Sequence, residues 1–145
     1  MIRYPPTVHG NGDAGFLAAI VATARQHGAA SYVGDGQNRW PAVHRSDAAR
    51  LTRLAVESAP AGSVLHAVAE QGVKFIDIAR AVSHGLDLPT ASITPSEAVA
   101  QYSFLGPLVA LDSPASSEVT RDLLHWSPHG PGLLADLAER HYYSS

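Results

Sequence analysis

A chain of 145 residues with 46% hydrophobic and 16% charged residues can bury a core of its own, so it reads as one domain over 1–145 and not as a disordered segment. A net charge of −3, with Lys74 as the only lysine, supplies no basic stripe for phosphates, which sets aside nucleic acid and anionic membrane surfaces as partners. The absence of cysteine excludes disulfides, thiolate nucleophiles and Cys-based zinc sites, and with no leader-like start and no apolar run of about 20 residues a cytoplasmic protein is expected.

Residues Ile2 to Val8 read as a strand, but Pro5 and Pro6 remove two backbone donors and push it to an edge or a strand end. After glycines 10, 12 and 15, Phe16, Leu17, Ile20, Val21 and Ala24 recur at helical spacing until Gly28 supplies a cap. Ser31-Tyr32-Val33 is a short strand stopped by Gly34-Asp35-Gly36, and Trp40 to His44 is an extended piece returning from that turn. Ser46 or Asp47 is expected to cap the next helix, whose face is Ala48, Leu51, Leu54 and Ala55, ended by Pro60 and Gly62. Ser63 to Val68 is the clearest strand, followed by an amphipathic helix on Phe75, Ile78, Ala79 and Val82 that closes near Gly85. Thr94-Pro95-Ser96-Glu97 is a capping box opening a helix through about Phe104, and two more helices are expected around Ser117 to Trp126 and Gly132 to Tyr142. The class is α/β: a few-stranded layer with a helical C-terminal part.

Gly10-Asn11-Gly12-Asp13-Ala14-Gly15 matches G-x-G-x-x-G, and Asp35 follows about twenty residues later, as in dinucleotide sites. Asp13 would put a negative charge inside an anion-binding turn, however, and Pro5 and Pro6 suit a central parallel strand poorly. A glycine-rich surface turn is therefore preferred, with a small nucleotide-binding module using Gly10–Gly15 kept as an alternative. Eight histidines invite a metal reading, but only His125 and His129 approach a ligand spacing, and Pro128 breaks the helix they would need. No G-x-S-x-G elbow is present for a serine nucleophile.

Four segments in order resemble the C-terminal, substrate-side half of extended short-chain dehydrogenases/reductases, the NAD-dependent epimerase/dehydratase family. Arg3-Tyr4-Pro5-Pro6-Thr7-Val8-His9-Gly10 is similar to the family's R-x-P-x-x-V-Y-G, with His9 in place of Tyr. Gly34-Asp35-Gly36 with Arg39, and Val43-His44-Arg45-Ser46-Asp47, resemble its G-D-G loop and V-H-V-x-D segment, and Leu124-His125-Trp126-Ser127-Pro128 resembles its late L-G-W-x-P. The stretch from Ala110 to Asp122 looks like the helix preceding that last motif. Arg39-Trp40-Pro41-Ala42 departs from the R-D-F of many sugar-nucleotide epimerases, which puts a nucleotide-sugar substrate in question.

The resemblance implies a partial Rossmann-type sheet with a helical substrate-binding part, cofactor contacts at Pro6, Val8 and His9, and substrate contacts at Arg39, Trp40 and His44. Arg39 with Trp40 reads equally as an anion fork beside a stacking face or as an arginine lying on a packed tryptophan. The family's catalytic Tyr-x-x-x-Lys is missing, because Glu70 stands four residues before Lys74. No catalytic residue, no metal and no cofactor are therefore expected for this chain alone, while NAD(P) serves the resembled family; Met1 is expected to open partway through that architecture. The function expected is the substrate-binding portion of an NAD(P)-dependent oxidoreductase acting on a small molecule, without redox activity by itself. A self-associating structural or interaction protein, as a homo-oligomer and most simply a dimer, is the rival.

Overall fold

The computed structural model describes residues 1–144. Pro5 and Pro6 divide the first extended segment into β1 (Ile2–Arg3), which pairs in parallel with β5 (Leu65–His66), and β2 (Thr7–His9), which pairs in parallel with β4 (Arg39–His44). β4 is the centre of a three-stranded sheet ordered β2-β4-β6, in which β6 (Glu70–Lys74) runs antiparallel with an irregularity between Trp40 and Ala42. A third, parallel pair joins β3 (Ala30–Val33) to β7 (Thr90–Ile93).

The sheets are covered by α1 (Phe16–His27), α2 (Arg45–Ser58) and α3 (Phe75–Leu86). Each is amphipathic: α1 buries Leu17, Ile20, Val21 and Ala24, and α3 buries Phe75, Ile78, Ala79 and Val82. These faces meet around Trp40, whose ring stands edge-on to Phe75 with centroids 5.2 Å apart and whose Nε1 donates to the Leu108 carbonyl at 3.1 Å. A second cluster packs Val43, Leu51, Leu65, Leu124 and Trp126 beneath α2. The C-terminal part consists of α4 (Pro95–Tyr102), the one-turn α5 (Gly106–Val109), α6 (Glu118–Leu124) and α7 (Leu133–Leu137), with 3₁₀ turns at Ser103–Leu105 and Arg140–Tyr142.

Several expectations change. The clearest strand by sequence, Ser63 to Val68, forms only the two residues of β5, because β1 offers a two-residue ladder before its prolines; on the other edge His66 N–H donates to Thr120 Oγ1 at 2.8 Å. The polar β6 and β7 carry no strong apolar alternation, yet both are held by ladder bonds to β4 and β3. α2 begins one residue after His44, which caps it by accepting from Ser46 N–H, so neither Ser46 nor Asp47 is the cap. α3 runs past Gly85 to Leu86, and Asp87 in the left-handed region at φ 53° ends it. Gly85 serves another purpose, as the seat of the Tyr143 ring, which a Cβ there would strike. The last two helices are shorter than expected: His125 turns left-handed after Leu124, and α7 stops at Leu137.

The capping box at Thr94 forms as expected: Thr94 Oγ1 accepts from Glu97 N–H at 3.2 Å, and Glu97 Oε2 accepts from Thr94 N–H at 2.7 Å. Thr94→Ala is expected to lower unfolding free energy by about 1 kcal/mol. Urea denaturation checks this, with an unchanged midpoint counting against the box as a contributor.

Candidate functional site

β2 and β4 run parallel and end in register, so their last residues, His9 and His44, lie side by side. Ligands of open α/β sheets bind outside the carboxyl ends of parallel strands, which makes this end the first place to look. His9 is fully buried and its Nδ1 lies 2.6 Å from Asp136 Oδ2 of α7, while its Nε2 is buried without a hydrogen-bond partner. The other oxygen of Asp136 lies 3.2 Å from His141 Nε2. His44 is half-buried; its ring stands across that of His9 with centroids 5.3 Å apart and planes at 72°.

On its far side His44 Nδ1 accepts from Ser46 N–H at 3.3 Å and lies 2.7 Å from Ser46 Oγ. Partial burial pushes the His44 imidazole below its ordinary histidine range, and the neighbouring His9 and Arg45 add to this while Asp136 and Asp47 oppose it. Gly10 and Gly130 line this histidine closely: a Cβ on Gly10 would approach His44 Nε2 to 3.1 Å, and one on Gly130 would meet His44 Cβ at 2.9 Å. Gly10 has φ +146°, a conformation that suits glycine.

The glycine-rich turn is filled from within. Gly10 N–H donates to Tyr142 Oη at 3.0 Å, Tyr142 Oη–H donates to Asp13 Oδ2 at 2.9 Å, and Asp13 Oδ1 accepts from Gly15 N–H at 2.6 Å. Arg45 lies over the same turn and donates to the Asn11 carbonyl. Asp35 accepts from Gln37 N–H at 3.0 Å within its own turn. These residues do not fit a dinucleotide pyrophosphate: the amides of Gly10, Asp13 and Gly15 are engaged, and a carboxylate occupies the turn.

Two buried or partly buried acids fasten the C-terminal segment over the strand ends. Asp47 Oδ1 accepts from His129 N–H at 3.1 Å and from Arg50 at 2.6 Å, and its Oδ2 accepts from Gly130 N–H at 2.8 Å. Trp126 Nε1 donates to the Asp47 carbonyl at 3.1 Å, and Glu70 Oε2 accepts from Leu133 N–H at 2.7 Å. The segment similar to L-G-W-x-P and the segment similar to V-H-V-x-D thus meet at Asp47, through its carbonyl to Trp126 and its carboxylate to the residues just after Pro128.

Of the residues singled out in the sequence, the structure brings together His9 and His44, while Val8, paired with Val43, packs against the second hydrophobic cluster on the other face of the strands. Pro6 lies in a separate groove of about 270 Å³ with Arg3, Tyr4, Pro41 and His66. Arg39 sits at the opposite end of β4 from His44, where its guanidinium grips Asp112 through two bonds of 3.0 Å and holds that carboxyl below the usual carboxylate range. Trp40 is 1% exposed and belongs to the core. Asp136, Tyr142, Arg45 and Gly130 were not visible as site residues in the sequence, since Asp136 lies 127 positions from His9 and no local motif marks it. Among the described residues no group of three or more His, Asp or Glu side chains is arranged to hold a metal ion. No helix among them is long and apolar enough to cross a membrane.

No family model matches the chain. It is 43% identical to an uncharacterised protein of Schizosaccharomyces pombe over 143 residues, 99% of this chain and 48% of that protein. It is also 44% identical to one of Saccharomyces cerevisiae over 137 residues, 94% of this chain and 46% of that protein. The chain spans about half the length of the curated relatives it matches.

Among solved structures it is similar to DesIV, a dTDP-glucose 4,6-dehydratase from Streptomyces venezuelae with NAD and TYD bound, at a TM-score of 0.71 and 16% identity over 98% of this chain and 42% of that one. Pal from Bacillus thuringiensis matches at 0.67 and 21%, over 98% and 44%. UDP-glucuronic acid 4-epimerase from Bacillus cereus, with UDP-glucuronic acid and NAD, matches at 0.66 and 18%, over 97% and 43%. At these identities the likeness is one of fold, and it is specific in extent: the chain has an α/β architecture similar to less than half of a Rossmann-like, NAD-dependent epimerase/dehydratase.

Proposed function

We propose that this chain supplies the substrate-binding part of an NAD(P)-dependent epimerase/dehydratase-like oxidoreductase and has no redox activity alone. The observation that carries the reading is the buried His9–Asp136 pair beside half-buried His44 at the carboxyl ends of two parallel strands, in a chain whose fold is similar to part of NAD-dependent enzymes. The parental acid/base needs a tyrosine with a lysine one helical turn later, and Lys74 follows Glu70 at that spacing. The nicotinamide group would supply hydride transfer from outside this chain, and its glycine turn is not a seat for it. The part played here is to bind a small molecule, orient it with His44, and exclude water by means of the segment that Asp47 and Glu70 fasten.

Binding and oxidation of NADH and NADPH test this on the chain itself. No turnover is expected with carbonyl substrates, and robust turnover by the 145 residues would contradict it. A second reading, self-association as a homo-oligomer, is favoured by the exposed Phe104 and Val119, each 75% exposed. Light scattering is then expected to give a concentration-dependent mass, and a monodisperse monomer over a wide concentration range would dispose of it.

A further inference from the structure

We propose that His44 is the group that meets the ligand, as a neutral imidazole presenting Nε2–H to a carbonyl or carboxylate oxygen of a small molecule, and that His9, clamped by Asp136, is its positioning residue. This rests on the proposed function and names the chemistry of the same site. A backbone amide can only donate, so the bond from Ser46 N–H assigns the lone pair of His44 to Nδ1 and leaves the proton of the neutral ring on Nε2. Ser46 Oγ–H can donate to the same nitrogen and reinforce that tautomer.

The bonds of His44 among the described residues are made at Nδ1, and its Nε2 faces Gly10, which lacks a Cβ, beside the aliphatic stem of Arg45. The acids that surround it are already engaged: Asp136 from α7 by His9, Asp47 from α2 by Arg50 and two amides, and Asp13 by Tyr142 and Gly15. Arg45, the remaining charged neighbour, is spent on Asn11. An N–H at a strand end with no acceptor among the described residues selects an oxygen lone pair from outside. His9 braces the ring across its face, and Asp136 fixes His9 in turn, an imidazole–carboxylate arrangement that holds orientation.

Histidine side-chain ¹H–¹⁵N spectra of the full chain test the proposal, with acetate as a carboxylate probe and acetone as a carbonyl probe. At neutral pH His44 is expected to carry its proton on Nε2 alone, and its ring signals to shift saturably with at least one probe, more than those of His9. His9→Gln removes a flanking imidazole and is expected to raise the titration midpoint of His44, whereas Asp136→Asn removes a flanking carboxylate and is expected to lower it. A purely structural role for the pair would alter stability without these opposed shifts. A proton on Nδ1, no saturable shift with either probe, or midpoints that move in the same direction would overturn the proposal. If either variant fails to fold, the wild-type tautomer and probe titrations decide it. Redox turnover by the chain alone would count against the proposed function and would leave these spectra unchanged.

Discussion

Asp136→Ala is expected to cost about 3–5 kcal/mol of unfolding free energy, the range for removing one member of a buried polar or ionic pair. Asp136 is 3% exposed, and one oxygen of its carboxylate bonds His9 while the other lies near the unpartnered Nε2 of His141. Its loss leaves the Nδ1–H of His9 buried without an acceptor, in addition to the Nε2 that already has no partner. The same change loosens α7 from β2. Asp136→Asn retains an acceptor and is expected to cost less than half as much. Urea or guanidinium denaturation measures both, and an Asp136→Ala midpoint within error of wild type would show that the pair contributes nothing to folding.

Asp47→Ala is the second large effect, expected at about 3 kcal/mol, since its carboxylate accepts from two backbone amides and a guanidinium and bonds to ionised acceptors are worth roughly 1.5–3 kcal/mol each before relaxation. The amides of His129 and Gly130 are partly buried and regain some water when the acceptor goes, which keeps the sum below the full value for three bonds. Beyond stability, the change frees the segment from Trp126 to Gly130 that covers His44. Amide hydrogen exchange at 126–133 is therefore expected to accelerate in Asp47→Ala more than exchange in α1, and uniform acceleration would contradict a local fastening.

At alkaline pH a separate loss is expected. Burial pushes the Tyr102 and Tyr143 hydroxyls up to about 12 from an ordinary 10.0, and Tyr142 is raised as well by burial and by Asp13 and Asp136. A folded-state value above the unfolded one means that the associated stability is complete below pH 10 and declines as the pH rises from 10 toward 12. Denaturation midpoints at pH 9 and 11 check the sign. Tyr102→Phe, which deletes the bond to the Ser31 carbonyl, is expected to lose some stability at pH 9 and to shrink the decline between the two.

The helices were legible in the sequence because their determinants are local. Leu17, Ile20, Val21 and Ala24 repeat at helical spacing on α1, Gly28 can turn left-handed, and Thr94 and Glu97 bond each other across three residues. The strands were legible only in part: Ser31–Val33 and Trp40–His44 fall in β3 and β4, but others depend on a partner that local sequence does not name. Glu70–Lys74 is polar and gains its conformation from β4, whereas Ser63–Val68 is apolar and loses most of its expected ladder because Pro5 truncates the partner. The site divides in the same way. His9 and His44 stood out within short segments, but Asp136 and Gly130 reach them only through the folding of the C-terminal segment over β2 and β4. Arg39 and Trp40 are adjacent to that strand's start in sequence, and the alternation of a strand sends one to Asp112 at the surface and the other into the core.

The central claim is that a small-molecule site lies at the carboxyl ends of β2 and β4. Backbone amide shift mapping during titration with acetate and with acetone, a carboxylate and a carbonyl probe, is the decisive measurement. Saturable shifts are expected to centre on His9 to Asn11, His44 to Ser46 and Gly130. Shifts confined to the cleft of Arg50, Arg53 and His129, or no saturable shift at the strand ends, would contradict it.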